Sequence, residues 1–364
     1  MAEVKFKLAA GTNVGLVRQN NEDNFVVCSD LTTSEWLIPQ AGDFADLGPC
    51  GALLVVADGM GGANAGEVAS AIAVETIQSL FVPEKLEGVV DNDKAIQEFM
   101  KDVVKSADLN ILHKSQEDSS TQGMGTTVVM AWILNHRAYI CWCGDSRCYV
   151  LSKHGGLIRL SKDHSYVQEL VDKGELDPEY ASDHPLSNII TRCLGDVDNR
   201  AVPDTRIYEL HNGDTIMLCS DGLSSLCHDT QIAEVMNDFR DEPMECKNEL
   251  ISAALSNGGY DNVTIALCDI RIEGEDEPVE EQEETVKETE NEEESQQTEE
   301  ELSTTIRTQA IGHRHIGRRI LLIVLLLLVA AGLYIYFAKE CEPIRQNISA
   351  TVSSIIIKVK QLRD

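Results

Sequence analysis

Residues 53–62 read Leu-Leu-Val-Val-Ala-Asp-Gly-Met-Gly-Gly, an apolar run that ends in one carboxylate and a group of glycines. The run, with its two consecutive valines, is typical of a buried β-strand. Glycine tolerates backbone angles and close approaches that other residues do not, so Asp58 can share a site with a bare carbonyl group. The pattern predicts a core strand that delivers Asp58 to a site for a hard cation, although an ordinary Asp-Gly turn fits this segment equally well when it stands alone.

The length and composition of the chain favour one large domain with appended segments. Of the 364 residues, 43% are hydrophobic, which is enough for a single large core. The formal net charge is -31, and residues 273–301 alone carry sixteen acidic residues against Lys287, a net of -15. This acidity argues against nucleic acid as a partner, because phosphate backbones require clustered lysine and arginine.

The eleven cysteines do not predict a disulfide framework. Most of them lie inside apolar runs, where an unpaired cysteine behaves as a small hydrophobic residue, and none has zinc-ligand spacing. Residues 1–7 contain no apolar signal core. We therefore expect buried thiols in a reducing compartment and a domain that stays in the cytoplasm.

Two amphipathic stretches follow the opening strand. Apolar residues recur at helical spacing from Val68 to Leu80, which predicts a helix of about five turns, and again from Ile96 to Ile111. Packing against a sheet explains both apolar stripes better than binding does. A polar loop is predicted at 115–122. Further strands are predicted at 125–134, 138–143, 148–151, 157–160, 206–210, 215–219 and 263–267.

Six acidic residues share one position in this pattern, the point where a strand meets a turn. They are Glu22, Asp23, Asp58, Asp145, Asp221 and Asp261. Mg²⁺ and Mn²⁺ prefer oxygen ligands, and two such ions about 4 Å apart can activate a shared water molecule. The set predicts a two-metal centre, but carboxylates alone leave the class of reaction open.

The last quarter of the chain differs in composition from the rest. Residues 273–312 are rich in Glu, Gln, Thr and Ser, which predicts a disordered, extended acidic linker. The nineteen residues at 320–338 carry no charge and are just long enough to span a membrane as a helix. A buried core helix is the alternative, but no domain remains around it. Basic residues at 313–319 predict that residues 1–272 are cytoplasmic and that 339–364 form a short tail on the other side.

The segments around the six acids resemble, in order, the signature blocks of the metal-dependent protein phosphatases, the type 2C serine/threonine phosphatases. The resemblance covers residues 7–270, and Met60-Gly61-Gly62 is similar to the bacterial branch. It implies an α+β fold, a four-layer αββα sandwich of two antiparallel sheets flanked by helices, with the metal site at one end. The blocks are Arg18–Asp23, Val56–Gly62, Gly125–Thr127, Gly144–Arg147, Thr191–Gly195, Ser220–Gly222 and Asp261–Thr264.

The resemblance also implies a set of metal ligands. Asp58 would bridge two Mn²⁺ or Mg²⁺ ions. The Gly59 carbonyl would bind one of these ions, and Asp221 and Asp261 would bind the other. Asp145, together with Asp221, is similar to the ligands of a third, weaker ion.

The remaining site residues are implied to act around the metals. Glu22 and Asp23 would act largely through metal-bound water. Arg18 would hold the substrate phosphate, a role that suits a planar guanidinium group. Met60 stands where animal members of the family carry a histidine, which is proposed as the general acid. Protonation of the leaving group would therefore fall to metal-bound water or another group.

The reaction implied by the resemblance is hydrolysis of phosphoserine and phosphothreonine. A hydroxide that bridges the two metals would attack the phosphorus directly, without a phosphoenzyme. The implied partners are phosphorylated proteins and an opposing serine/threonine kinase, with one helix tethering the enzyme to the cell membrane. The alternative is a catalytically silent scaffold of the same fold that binds phosphoproteins. Degenerate metal ligands would favour that alternative, and none is found.

Overall fold

The fold is described here from a computed structural model, which covers residues 3–34, 36, 44–60, 65–153, 155–181, 184–198 and 200–274. The chain divides into two units, Met1–Glu280 and Glu281–Asp364, and the described residues all belong to the first. From residue 275 onwards, the predicted linker, basic segment, membrane helix and tail lie outside the described residues. None of the helices in the described ranges combines the length and the apolar character that a membrane span requires.

The first unit alternates strands and helices along the chain. The strands are β1 Val4–Asn13, β2 Asn24–Cys28, β3 Ala45–Asp46, β4 Ala52–Ala57, β5 Gly59–Met60, β6 Gly125–Thr126, β7 Val128–Leu134, β8 Arg137–Cys143, β9 Arg147–Ser152, β10 Gly156–Arg159, β11 Asp204–Glu209, β12 Thr215–Cys219 and β13 Val263–Ile272. The helices are α1 Gly66–Leu80, α2 Pro83–Leu86, α3 Asp93–Glu117, α4 Tyr166–Asp172, α5 Asp221–Ser224, α6 Asp229–Asp238 and α7 Pro243–Ser256.

Two antiparallel sheets form the centre of this unit. One has six strands in the order β10-β9-β12-β13-β1-β3, and the other has five in the order β11-β8-β7-β4-β2. Strand β1 pairs with β13 along its whole length, from Val4 opposite Ile272 to Asn13 opposite Val263. The antiparallel pairing confirms the sheets predicted above, and β4, buried at all six residues, confirms the predicted core strand.

Three buried clusters separate four layers. The two faces of β4 illustrate the arrangement, because successive side chains of a strand point to opposite sides. Val55 belongs to a cluster with α1 and α3, whereas Val56 belongs to a cluster that fills the space between the two sheets. A third cluster joins β12 and β13 to α6 and α7. Helices therefore cover both outer faces of the two-sheet core.

The structure differs from the sequence predictions mainly at the ends of elements. Helix α1 runs from Gly66 to Leu80, and its fifteen residues make about four turns instead of five. The polar loop predicted at 115–122 is shorter than expected, since α3 continues to Glu117 and a 3₁₀ turn covers Ser119–Thr121. The polar residues at the end of an exposed helix resemble a loop in the sequence, so the last turn is difficult to predict.

The cysteines of the apolar runs are buried thiols, as predicted. They are Cys141, Cys143, Cys148, Cys219 and Cys268. Burial raises the pKa of the Cys143 and Cys219 thiols to about 12, so neither is a thiolate at neutral pH. These thiols contribute to the core and offer no nucleophile.

Candidate metal centre

Asp58 lies between β4 and β5, where a pair of threonines holds its backbone. The Asp58 carbonyl accepts hydrogen bonds from the Thr127 N–H and the Thr126 hydroxyl, both at 2.8 Å. The Asp58 N–H donates to Thr127 Oγ1 at 3.2 Å, and that hydroxyl also bonds to the Ser146 hydroxyl at 2.7 Å. The threonines of the predicted block 125–127 therefore fix the point at which Asp58 leaves the sheet.

Gly59 occupies a position with no space for a side chain. A Cβ atom at Gly59 would lie 2.3 Å from the Gly66 carbonyl oxygen and 2.5 Å from the Glu22 carbonyl oxygen. The start of α1 and the segment before β2 thus approach the turn after Asp58 as closely as a bare backbone allows. Gly61 and Gly62, which belong to the same predicted turn, lie outside the described residues.

One pocket of about 470 Å³ brings together seven of the eight predicted site residues. Parts of the chain more than 240 residues apart in sequence meet in it, since Arg18 contacts Asp261. Met60 and Tyr260 also line this pocket. The predicted site residues in its lining are Arg18, Glu22, Asp58, Gly59, Asp145, Asp221 and Asp261.

Asp23, the eighth, lies beneath the pocket instead of in its lining. Its side chain is buried, and its Oδ2 accepts hydrogen bonds from the Ser220 hydroxyl at 2.8 Å and the Thr264 hydroxyl at 2.6 Å. Burial raises the pKa of Asp23 to about 7, because the desolvation outweighs these two hydrogen bonds. Asp23 therefore ties the start of β2 to the ends of β12 and β13 below the other carboxylates.

The carboxyl groups of the pocket raise one another's pKa. Burial, followed by the charges of Asp23, Asp221 and Asp145, raises the pKa of Asp58 well above its usual value. Burial and the charge of Asp261 also raise the pKa of Asp221. A cation bound among these carboxyl groups would offset their mutual repulsion.

Asp145 has an oxygen atom without any partner. Its Oδ1 is buried and accepts no hydrogen bond from the described residues. Burial, with the charge of Asp221 next in importance, raises the pKa of Asp145 to about 8. A buried carboxylate oxygen without a donor is destabilising unless a proton or a cation binds to it.

Arg18 pairs with Asp261 at the rim of the pocket. Its Nη2 donates to Asp261 Oδ2 at 2.6 Å, and the two side chains are 50% and 35% exposed. The Asn262 N–H donates to the other carboxylate oxygen, Oδ1, at 2.9 Å. In this arrangement the guanidinium group supplies the positive charge beside Asp261.

Asn262 is a structural residue of the site that sequence reasoning missed. Its Oδ1 accepts from the Glu22 N–H at 2.8 Å, and its Nδ2 donates to the carbonyls of Val14 and Asn20 at 2.9 and 3.0 Å. One side chain thus holds three points of the segment that carries Arg18. The block Asp261–Thr264 includes Asn262 and is the sequence signal that points to it.

The donor set fits Mn²⁺ or Mg²⁺. Among the described residues, no three His, Cys, Asp or Glu side chains are already arranged around a common metal position. The pocket nevertheless offers only oxygen donors from its acidic side chains, which suits hard cations. The raised pKa values of Asp58 and Asp221 and the unpartnered Oδ1 of Asp145 mark the places where added positive charge would be stabilising.

Comparison with known proteins decides the family. The sequence profile described as Protein phosphatase 2C matches residues 43–257. The chain belongs to the protein phosphatase 2C family. This membership confirms the predicted enzyme class, protein serine/threonine phosphatase, and the predicted dependence on Mn²⁺ or Mg²⁺.

The phosphatase is similar to several bacterial proteins over most of its length. It is 33% identical to the serine/threonine phosphatase stp of Listeria monocytogenes over 267 residues, which are 73% of this chain and 97% of that protein. A serine/threonine phosphatase structure from S. agalactiae matches with a TM-score of 0.62, 29% identity, and coverage of 72% of this chain and 98% of that chain. The catalytic domain of PstP, solved in complex with 2 manganese ions, matches with a TM-score of 0.58, 32% identity, and coverage of 74% and 99%.

A second cavity of the phosphatase, of about 750 Å³, adjoins the metal pocket. Asp145 and Asp221 line both cavities. Arg147 lines the second one, where its Nη2 donates to Asp163 Oδ2 at 2.7 Å. Residues of α4 also line it, together with Pro178, Ala181, Ser187 and Asn188. The two cavities therefore meet at Asp145 and Asp221, and the second provides space beside the metal pocket.

Proposed function

We propose that this chain hydrolyses phosphoserine and phosphothreonine in proteins at the cytoplasmic face of the membrane, using two divalent metal ions. The observation that carries the proposal is the single pocket that gathers seven of the eight predicted site residues. Family membership supports the reaction class. The roles of the individual residues and the membrane tether are proposals, and each rests on the features described below.

The metal ligands would be the oxygen donors around Asp58. Asp58, the Gly59 carbonyl, Asp221 and Asp261 would hold two Mn²⁺ or Mg²⁺ ions, and Asp145 would help to hold a third. When bound, the ions supply a water molecule of lowered pKa as the nucleophile and neutralise charge on the phosphate. The solved PstP catalytic domain with 2 manganese ions supports this number of ions.

Arg18 would bind the substrate phosphate. Its guanidinium group is half exposed at the rim and is held there by Asp261. With Asp261 serving as a metal ligand, Arg18 would be able to direct two N–H groups at the phosphate oxygens. The Arg18–Asp261 ion pair therefore keeps the phosphate-binding group in position until substrate and cofactor bind.

Glu22 and Asp23 would organise water at the base of the site. Asp23 is held by the Ser220 and Thr264 hydroxyls, and the Glu22 backbone is held by Asn262. Met60 lines the pocket, and its described lining contains no histidine. The proton for the leaving serine or threonine oxygen would therefore come from water inside the pocket.

The membrane tether is proposed from the sequence of the C-terminal segments. The uncharged run at 320–338 is preceded by the basic residues of 313–319, which favours a cytoplasmic catalytic domain. The acidic linker at 273–312 would extend and hold the domain away from a negatively charged surface. Such an enzyme would act on phosphorylated proteins near the membrane and would oppose a serine/threonine kinase.

The test of the reaction uses the full chain, Mn²⁺ and a phosphothreonine peptide. We expect steady phosphate release that stops with EDTA and is lost in Asp221→Asn. The matched control is Asp102→Asn, an exposed carboxylate of α3, which should behave as wild type. Turnover that continues in Asp221→Asn would refute the proposed site. Phosphopeptide binding by calorimetry without any turnover would favour the silent scaffold.

The test of the tether is separate. Full chain and a variant lacking residues 320–338 are expressed in cells, and membrane and soluble fractions are compared by immunoblot. We expect only the full chain in the membrane fraction. Equal distribution of the two proteins would refute the tether and leave the reaction unaffected.

A further inference from the structure

Three exposed apolar residues lie within two positions of Arg18 or Asp261 in the sequence, and one of them lines the metal pocket. Leu16, Val17 and Tyr260 are 68%, 63% and 63% exposed. Val17 directly precedes Arg18 in the sequence, Tyr260 directly precedes Asp261, and Tyr260 lines the pocket itself. We call Leu16, Val17 and Tyr260 the apolar lip.

Exposed large hydrophobic residues are concentrated around this pocket. Twelve such residues occur in the described part of the chain. Four of them belong to the lip or lie next to it in the sequence. Two more lie on segment 186–189, whose Asn188 contributes to the pocket lining. Isolated exposed apolar residues need no explanation, but a group of them beside a site marks an interaction surface. The six are Val14, Leu16, Val17, Leu186, Ile189 and Tyr260.

The two loops that carry the lip are fixed to each other by their backbones. The Leu16 N–H donates to the Gly259 carbonyl at 2.7 Å. Gly15 has a φ of +79°, and a Cβ atom there would lie 2.3 Å from the Asp261 carbonyl oxygen. The two loops that carry the lip are therefore already held together, which reduces the ordering of the backbone that binding requires.

We propose that the apolar lip binds an apolar side chain of the protein substrate that lies next to the phosphorylated serine or threonine. The inference rests on the proposed function, because it assumes that the phosphate binds at Arg18. Two residues of extended chain span about 7 Å. A neighbour of the phosphorylated residue therefore reaches the side chains that flank Arg18 and Asp261, and burial of an apolar group there is favourable.

Charge distinguishes this occupant from a lipid bilayer. The pocket beside the lip is lined by five acidic side chains and one basic one, Arg18. Anionic membrane surfaces are bound by clusters of lysine and arginine, and this lining has no such cluster. A peptide instead presents one phosphate to the pocket and one apolar side chain to the lip. The lip is therefore assigned to substrate recognition.

The experiment compares two phosphothreonine peptides that differ only in having Leu or Ser on both sides of the phosphothreonine. The kcat/KM of the full chain with Mn²⁺ is measured for both, and the ratio is independent of the active fraction of the enzyme. We expect about a tenfold preference for the Leu peptide. Leu16→Ser and Tyr260→Ser should each reduce the ratio, and the double variant should bring it near one. Val202→Ser, which alters a valine that is 56% exposed and lies outside the pocket lining, should keep the wild-type ratio.

The possible outcomes distinguish a failure of the lip proposal from a failure of the proposed phosphatase reaction. Equal kcat/KM values for the two peptides in wild type, or an unchanged ratio in the double variant, would refute the proposed role of the lip. The phosphatase reaction would be unaffected by either result. Failure to hydrolyse either peptide would overturn both. A second measurement uses Tyr260→Trp in the full chain reconstituted with brominated-lipid vesicles. Strong quenching of the introduced indole, relative to wild type, would assign the lip to the bilayer and overturn the proposal.

Discussion

The metal pocket and the neighbouring Arg147–Asp163 cluster use charged residues in opposite ways. Asp163, whose side chain is 10% exposed, accepts hydrogen bonds from Arg147 Nε and Nη2 at 2.7 to 3.1 Å. Arg159 lies 3.5 Å from the same carboxylate. Asp58 and Asp145 instead face other acidic groups. The charges of the Arg147–Asp163 cluster are balanced within the chain. The acidic charges of the metal pocket are balanced only when cations are added.

This difference predicts which substitutions affect folding and which affect chemistry. Removing one member of a complete pair leaves a partly buried charge without a partner, which is strongly destabilising. Removing one carboxyl group from a crowded acidic set relieves repulsion and weakens only the binding of cations. A substitution in the Arg147–Asp163 cluster should therefore lower stability, whereas one in the metal pocket should lower activity without lowering stability.

The largest effect is expected for Asp58→Asn. The amide keeps the shape but removes the central negative charge of the site, so turnover of a phosphothreonine peptide should fall by about 10⁴-fold. Calorimetry should show weaker Mn²⁺ binding, while the melting temperature in EDTA should not fall. Wild-type turnover in this variant would mean that the pocket is not the catalytic site.

Arg147→Met should reduce stability instead of chemistry. Asp163 would keep its charge in a largely buried place without its main partner, which should lower the free energy of unfolding by about 4 kcal/mol. Urea titration measures this change. The control is Arg137→Met, because Arg137 and Asp93 form a pair that is 44% and 46% exposed and should contribute less than about 1 kcal/mol. Equal losses of unfolding free energy in the two variants would contradict the proposed difference between the buried pair and the exposed pair.

Asp269 tests the pH behaviour of a buried carboxylate outside both clusters. Burial raises its pKa to about 6 although Thr215 donates a hydrogen bond at 2.7 Å, and its Oδ2 has no partner in the described structure. The folded state therefore holds a proton that the unfolded state releases, so stability should fall as pH rises from about 4 through about 6. The loss should be at most about 3 kcal/mol. Urea titrations of wild type and Asp269→Asn across this range should differ in slope, and parallel curves would contradict the prediction.

The smallest effect is expected for Asp145→Asn. Without divalent metal, the variant should be more stable than wild type by roughly 1 kcal/mol at pH 8, because a repelled carboxyl group is removed. Thermal melts in EDTA measure this gain. With saturating Mn²⁺ the gain should shrink, since the wild-type carboxylate then has a partner. A lower melting temperature for the variant in EDTA would show that Asp145 is needed for folding.

The sequence predicted the parts of the site that local pattern controls. An apolar strand followed by Asp and Gly marked Asp58, and β4 is buried as expected. The same pattern marked Asp221, although that residue begins the short helix α5 instead of a turn. Local periodicity reports burial and the ends of strands, and these features decide where an acidic residue can be presented.

Long-range contacts could not be read from the sequence. The Arg18–Asp261 pair joins residues 243 positions apart, and Asp23 meets Thr264 across 241 positions. Periodicity gives no information on which strands pair, so the position of Asp23 beneath the pocket was not foreseen. Asn262 was missed for the same reason, because its three hydrogen bonds connect the residue before β13 to a segment near the N-terminus.

The pairing of β1 with β13 also sets an order of events during synthesis. Among the described strands, β1 is the first to be synthesised, and its ladder partner β13, which ends at Ile272, is the last. The six-stranded sheet therefore cannot close until about three quarters of the chain has been translated, and such non-local closure is slow. Until then, the apolar face of β1 remains exposed, and a chaperone that shields it would be most useful at the beginning of translation.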